Sequence, residues 1–313
     1  MTTNSQVIAL QMDPLESVDI HADTTFCLAL EAQNRGYCLF HYDPSRLSYD
    51  QGHLWAEGHR VRLQAKDGDP VAEKEPQSVD LSTVAVILLR QDPPFDMGYI
   101  TSTYLLDLVR TQVRVVNDPT GVRTISEKLG ALPLVEVMPP TLVTRSRARL
   151  DAFRATHKDI IVKPLYGNGG AGVFRVTPDD GNYEVILEQF FAHSREPIMA
   201  QQFLAAVKDG DRRVLFIDGE AVGAIDRIPA SGQSRANLHV GGKAHAADLS
   251  VRDRDICAAV APILRTHGLF FAGIDIIGGY LTEINVTSPT GIQEYNRLNN
   301  AHLETMFWDR LGL

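Results

Sequence analysis

The sequence predicts an α/β protein: a first third built on a mainly parallel sheet, a compact α+β unit behind it, and a last third of antiparallel strands. Three observations carry that reading. Apolar runs alternate with amphipathic stretches through the first third. The run VAVILL, inside Thr83–Arg90, is continuous rather than alternating, as expected of a strand covered on both faces. Beyond Arg123, short strands and helices follow one another closely, punctuated by Gly and Pro.

In chain order, strands are expected over 7–12, 37–42, 83–90 and 113–117, with helices near 22–35 and 98–111 between some of them. The Asp-, Gly- and Pro-rich charged segment Lys66–Gln77 reads as a loop. A boundary near Asp118–Gly121 closes a first domain, 1–122. From Arg123 a helix carrying Lys128 leads through Pro139-Pro140 to strand TLVT and the basic amphipathic helix RARLDAFRATH. Strand IIVKPL, a glycine run, strand VFRV, a helix over 183–193 and strand PIMAQQFL complete a second unit, 123–203. The third, 204–313, is expected to hold antiparallel strands DRRVLFID and AVGAIDRIP, a polar loop to about 248, a helix over 251–267 and a hairpin within 275–291.

At 313 residues, with 44% hydrophobic and 22% charged residues, the chain is long enough for two or three domains with a sizeable core. A formal charge of −9 disfavours nucleic acid as a partner, because phosphate binding draws on clustered Lys and Arg. The opening MTTNSQVIALQM lacks a signal-peptide pattern and no apolar run reaches membrane length, so a cytoplasmic enzyme or binding protein is expected. Cys27, Cys38 and Cys257 lie far apart, which argues against zinc and disulfides and for buried free thiols. No P-loop, HExxH, GxSxG or Cys/His pairing is present. His21, His41, His53, His59 and His239 are scattered and read as surface or core residues.

The richest segment is DIIGGYLTEINVTSPTG, 275–291. Residues i and i+2 of a strand share a face, so Glu283 and Asn285 project together. A three-residue loop, Gly278–Tyr280, sets Asp275 opposite Glu283, stacks Ile274 on Ile284 and Ile276 on Thr282, and leaves three oxygen ligands on one face. A two-residue loop would turn Glu283 away from Asp275. Two carboxylates and an amide suit magnesium bound with a nucleotide; the segment alone equally fits a hairpin with a solvated acidic face.

Gly167-Asn168-Gly169-Gly170-Ala171-Gly172 satisfies G-x-G-x-x-G, yet a strand follows it, so it is no dinucleotide fingerprint. It reads instead as a hairpin loop whose amides can close over phosphate oxygens, or as a plain turn. Lys163, between Val162 and Pro164 on the strand feeding the loop, needs an anionic partner if buried. Arg212, Arg213, Arg227, Arg235 and Lys243 add cations suited to carboxylate and phosphate. The stretch SGQSRANLHVGGK, 231–243, has the composition of an active-site lid or of an inert loop.

Over essentially its whole length the chain resembles the prokaryotic glutathione synthetases of the ATP-grasp superfamily. The ordered motifs are MDPLESV, LLRQDPPFD, SEKL, TLVTR, IIVKPLYGNGGAGVFRV, KDGDRRVLFIDGE, RIPASGQSRANLHVGGK and GIDIIGGYLTEINVTSPTGI. The resemblance implies an ATP-grasp fold and an ATP-dependent ligase joining γ-glutamylcysteine to glycine through an acyl phosphate. ATP would be co-substrate, magnesium the metal with manganese as the alternative, and a homotetramer the assembly, with no nucleic-acid or membrane partner.

It places Lys128, Lys163 and the loop of Gly167, Gly169 and Gly170 on ATP phosphates, Gln201, Gln202, Phe203 and Leu204 at the adenine, and Asp211 near the ribose. Asp275, Glu283 and Asn285 would hold the metal. Arg213 and Arg227 would stabilise developing charge and Arg235 would close the site. Arg90 and Ser288, Pro289 and Thr290, with Asp13–Ser17, would seat γ-glutamylcysteine. Three positions depart from the family pattern: Ala236, Tyr166 and Gly172 stand where Gly, Asp and Ser are common. The alternatives are another ATP-grasp carboxylate-amine ligase, joining D-alanine or adding glutamate to a peptide, and a nucleotide-binding sensor without turnover.

Overall fold

A computed structural model describes residues 6–228 and 243–313, which form three sheets. The first contains β1 (Val7–Gln11), β2 (Cys38–Tyr42), β3 (Leu47–Asp50), β4 (His53–Leu63), β5 (Val71–Asp80), β6 (Val86–Leu89) and β7 (Arg114–Val116). Its order is β3-β4-β2-β1-β6-β7, with β5 on the free side of β4. The four strands foreseen, β2-β1-β6-β7, run parallel, and β1 and β6 are almost wholly buried, as strands covered on both faces must be. Helices α1 (Thr24–Asn34) and α2 (Met97–Asp107) start on Asp23 and Asp96, whose carboxylates accept the Phe26 and Tyr99 amides.

The remaining strands add antiparallel pairs on the β2 side, giving a mixed sheet around that parallel centre. They include a correction: residues 71–77, within the expected loop, belong to β5, and the true connection is 64–70. β5 faces water along almost its whole length, so no apolar alternation announced it.

Short helix α3 (Pro119–Thr124) ends before Lys128, which lies in the following turns and not on a helix as expected. The second sheet, β8 (Thr141–Thr144), β9 (Ile160–Pro164), β10 (Phe174–Val176) and β11 (Ile198–Gln202), has order β10-β9-β11-β8. Helices α4 (Arg147–His157) and α5 (Tyr183–His193) cover one face, and Leu150, Ile160, Val162, Leu187 and Ile198 form a core separate from the rest.

The third sheet comprises β12 (Asp211–Ile217), β13 (Glu220–Ile228), β14 (Lys243–Ala246), β15 (Phe271–Ile277) and β16 (Tyr280–Asn285), in order β14-β13-β12-β15-β16. β14 lies inside the polar loop expected to reach 248. Helices α6 (Val251–Thr266), α7 (Ile292–Asn299) and α8 (Leu303–Leu311) complete the chain. Buried residues of the third sheet, including Val214, Ile274 and Ile284, share one core with Ala9, Ile87 and Leu89 of the first. The two sheets are thereby fixed against each other by continuous apolar packing.

Contact at that seam is close. A Cβ on Gly121 would lie 1.9 Å from the His267 carbonyl oxygen, so only glycine lets α3 approach the end of α6. Gly121→Ala is expected to cost about 2–3 kcal/mol, read as a lower urea midpoint with an unchanged slope. An unchanged midpoint would contradict the close approach. Among the described residues no helix is long and apolar enough to cross a membrane. Of the thiols only Cys257 is buried; Cys27 and Cys38 are partly exposed, which corrects the expectation of three buried ones.

Candidate active site

The hairpin β15–β16 brings Asp275 opposite Glu283 and Ile274 opposite Ile284, as expected, but by another route. The turn has two residues, Gly278 and Gly279, both at positive φ (55° and 79°), with Ile277 paired to Tyr280 and Ile276 to Leu281. That is the two-residue hairpin turn that needs positive φ at both centres, which glycine supplies without strain. Thr282 is then the extra residue of a bulge, its Oγ1 donating to the Asp275 carbonyl at 3.0 Å. The bulge restores the pairing that a plain two-residue turn would have lost, so the three-residue loop and the Ile276–Thr282 stack are both corrected.

Strand alternation gathers the charges on one face of the third sheet. Asp211 and Arg213 are two apart on β12; Asp211 pairs in register with Arg227, and Arg213 with Asp275. Arg227 grips Asp211 with Nε at 2.6 Å and Nη2 at 2.8 Å. Arg213 donates to Asp275 through Nε (2.5 Å to Oδ1) and Nη2 (3.0 Å to Oδ2), and Arg227 Nη2 also lies 2.9 Å from Asp275 Oδ1. Asn285 Nδ2 donates to Asp275 Oδ2 at 3.3 Å. Burial acts to raise the Asp275 pKa, but the two guanidinia outweigh it and hold the carboxyl far below the usual carboxylate range. Burial pushes the neighbouring Asp211 upward, with the Asp275 charge adding to it and Arg227 opposing.

The second sheet supplies the facing wall. Lys163, 6% exposed on β9, reaches towards Glu283 Oε1 at 3.8 Å, and Lys128, 3% exposed, lies 3.5 Å from the same oxygen. Lys128 Nζ also donates to the Gly167 carbonyl at 2.5 Å, tying the glycine loop to the cleft. Burial lowers the Lys163 pKa, Glu283 opposing and Lys128 reinforcing. The loop joins antiparallel β9 and β10, as read from the sequence, with Gly169, Gly170 and Gly172 at positive φ.

These groups line one cleft of about 600 Å³ between the second and third sheets. Gln201, Gln202, Phe203 and Leu204 form its far end, with Gln201 Nε2 donating to Thr141 Oγ1 at 3.0 Å. Among the described residues Lys128, Lys163, Arg213 and Arg227 line it with Glu127, Asp211, Asp275 and Glu283, and Arg175 lines it while paired with Asp159. Ser288, Pro289, Thr290 and Arg90 stand beside this lining. Buried Arg90 donates to Thr25 Oγ1 and the Pro289 carbonyl (both 2.9 Å), and Arg213 Nη1 to the Thr290 carbonyl at 3.3 Å. The Asp13 carboxylate accepts the Asp92 amide at 2.8 Å. Arg235, Ala236 and His239, with the expected lid up to residue 242, lie outside the described residues.

Sequence reasoning missed Glu127 and Arg175. Glu127 lines the cleft, accepts the Thr287 hydroxyl at 2.6 Å, and offers its own carbonyl to the Ile284 amide at 2.9 Å. Its position beside Lys128 was the available signal. Burial raises its pKa, Glu283 adding to this and the Thr287 hydroxyl opposing. Arg175, paired with Asp159, lies 3.9 Å over the Phe203 ring; nothing in the sequence linked the two.

As a metal site, the hairpin offers two carboxylates and an amide. Among the described residues no group of three or more His, Cys, Asp or Glu could hold a metal by itself. A hard cation held there would take its remaining ligands from phosphate oxygens rather than from a full protein cage, and would share Asp275 with Arg213 and Arg227.

Comparison with known proteins identifies the family. Residues 7–123 match the family described as prokaryotic glutathione synthetase, N-terminal domain, and residues 127–300 match prokaryotic glutathione synthetase, ATP-grasp domain. A glutathione synthetase of Agrobacterium fabrum is 48% identical over 97% of this chain and 95% of its own. That of Vibrio cholerae is 43% identical, covering 92% of this chain and 91% of its own. Among solved structures, D-cycloserine synthetase DcsG superposes with a TM-score of 0.67 at 17% identity, over 97% of this chain and 99% of that one. The ATP-grasp ligase PsnB complexed with minimal precursor gives 0.62 at 18% identity over 98% of each. At such identities the likeness is one of fold.

Proposed function

The chain belongs to the prokaryotic glutathione synthetase family and is an ATP-dependent ligase with the ATP-grasp fold, and from that premise we propose how its residues divide the work. The reaction joins γ-glutamylcysteine and glycine to glutathione, releasing ADP and phosphate. The single observation that carries the division of roles is the cleft in which buried Lys163, Arg213 and Arg227 from two sheets, and Lys128 from the turns after α3, converge on one carboxylate-bearing hairpin.

Lys128 and Lys163 hold ATP phosphates, with the loop of Gly167, Gly169 and Gly170 over them. Their lowered hydration makes a polyanion the natural partner. Gln201–Leu204 receive the adenine, Arg175 backing the Phe203 ring, and Asp211 lies towards the ribose. Asp275, Glu283 and Asn285 would hold magnesium, or manganese, which when bound screens β- and γ-phosphate charge. A carboxylate oxygen of γ-glutamylcysteine attacks the γ-phosphorus and ADP departs. The glycine nitrogen then attacks the acyl carbon, and the acyl C–O bond breaks to release phosphate. Arg213 and Arg227, buried and preorganised by Asp275 and Asp211, face the transferring phosphoryl and the developing oxyanion.

Arg90 acts from behind, holding the Pro289 carbonyl so that Ser288, Pro289 and Thr290 form the substrate wall. The role of Arg235, which lies outside the described residues, rests on the family resemblance alone. The second sheet and its two helices, whose core is separate from the rest, form the wall that faces the third sheet across the cleft. A cytoplasmic homotetramer is the expected form, on the family resemblance.

The direct test is ADP release from the full chain with ATP, magnesium, γ-glutamylcysteine and glycine, each omitted in turn. Turnover should require all four, and turnover indifferent to glycine would sink the reading.

A further inference from the structure

At the seam between the first and third sheets lies a second cleft, of about 560 Å³, which the proposed reaction does not use. Its size falls within the roughly 300–1,000 Å³ usual for small-molecule sites. Arg110, Arg114 and Arg265 line it together with Asp118 and Asp218, over an apolar floor that includes Phe270. Arg114 lies 5.1 Å above the Phe270 ring and donates to the Leu311 carbonyl, and Arg110 stands 3.8 Å from Asp118. Arg265 and Asp218 line the same cleft, yet neither forms an ion pair among the described residues. An exposed cation and anion that share a cleft without meeting leave complementary positions for a zwitterion.

We propose that this cleft is a second binding site for a small anionic zwitterion carrying two carboxylates and one ammonium, and that its occupant is the reaction's own product, glutathione. Guanidinium forks suit carboxylates bidentately, and the two aspartates provide for the ammonium. Phosphate esters would meet those aspartates as repulsive neighbours. The choice of occupant rests on the proposed glutathione-forming reaction; the zwitterion site rests on the cleft alone.

The cleft is also joined to the active site by hydrogen bonds. Val116 lines it, and the next residue, Asn117, donates to the Phe271 and Val286 carbonyls at 2.7 and 3.0 Å and accepts the Phe271 amide at 2.8 Å. Val286 precedes Thr287, the partner of Glu127. Occupancy therefore bears on the strand that leads into the Ser288–Thr290 wall.

The test is calorimetric titration of glutathione into the full chain with its active site already filled by magnesium, a non-hydrolysable ATP analogue and γ-glutamylcysteine. Wild type should bind one further equivalent. The double variant Arg110→Ala/Arg265→Ala, both side chains exposed, should bind it at least roughly tenfold more weakly, with the glutathione-free initial rate kept within about twofold. Amide exchange should slow on glutathione addition over 115–118 and 268–271. No binding with the active site filled, binding unaltered by the double variant, or a second equivalent of ATP taken up in place of glutathione would each overturn the proposal. Failure of glycine-dependent turnover would count against the reaction instead, because the titration does not depend on it.

Discussion

Asp275→Ala is expected to destabilise the nucleotide-free chain by about 3–5 kcal/mol, the range for breaking a buried ion pair and leaving a guanidinium uncompensated. The cause is geometric. Arg213 and Arg227 converge on one carboxylate, and among the described residues Arg213 has no second acid as a hydrogen-bond partner, only the Thr290 carbonyl. Arg227 keeps Asp211. Urea unfolding of variant and wild type measures the loss, and a difference under about 1 kcal/mol, the level of a surface pair, would contradict a structural role. ADP should recover more stability in the variant than in wild type, since its phosphates replace the missing anion.

The pH dependence has a definite sign. The folded chain holds the Asp275 carboxyl below its unfolded value, so between the two it binds fewer protons than the unfolded chain and stability rises with pH. The contribution is full above the unfolded value of about 3.9 and is lost as the pH falls towards the folded one. Removing Asp275 should flatten the acid limb of the stability profile; an identical limb in both proteins would refute the assignment.

Why this network could not be read in advance follows from how it is made. Arg213 and Asp275 are 62 residues apart and meet only because β12 and β15 pair in that register. Local signals did carry much of the fold. Helix α4 begins on Ser146, whose hydroxyl accepts the Arg149 amide, and runs over RARLDAFRATH as its amphipathic pattern requires. The β-branched run before Lys163 formed β9. By contrast β3 to β5 were missed: β3 and β5 are mostly exposed and rest on cross-strand pairing, and β4, which buries Leu54, Ala56, Val61 and Leu63, breaks its alternation at 58–60. That Glu283 and Asn285 share a face was legible from alternation, whereas Asp275 opposite Glu283 was expected from a three-residue loop that the hairpin does not have. The bulge at Thr282 was not, since it depends on a hydroxyl finding a carbonyl across the hairpin. Lys128 illustrates the same limit: its partners are the Gly167 carbonyl and Glu283, both distant in sequence.

Glu283→Gln should separate two effects that its deletion would mix. Glu283 is the carboxylate that both cleft lysines approach, at 3.5 and 3.8 Å, while also standing in the proposed metal set. Glutamine keeps the shape and removes the charge. Loss of a metal-facing carboxylate should reduce turnover by roughly 10²- to 10³-fold or more, as for other groups that stabilise charge only in the transition state. Yet the lysines, freed of their anion, should bind ATP in the absence of divalent metal about tenfold more tightly. A charge pair at 4 Å is worth about 4 kcal/mol at an effective dielectric of 20, before solvent screening at a partly exposed group reduces it. Fluorescent-nucleotide titration in excess chelator measures the affinity and ADP release the rate. A variant with full turnover would remove Glu283 from the metal set. One whose metal-free affinity is unchanged would mean that Lys128 and Lys163 do not face the phosphates, whatever happens to the rate.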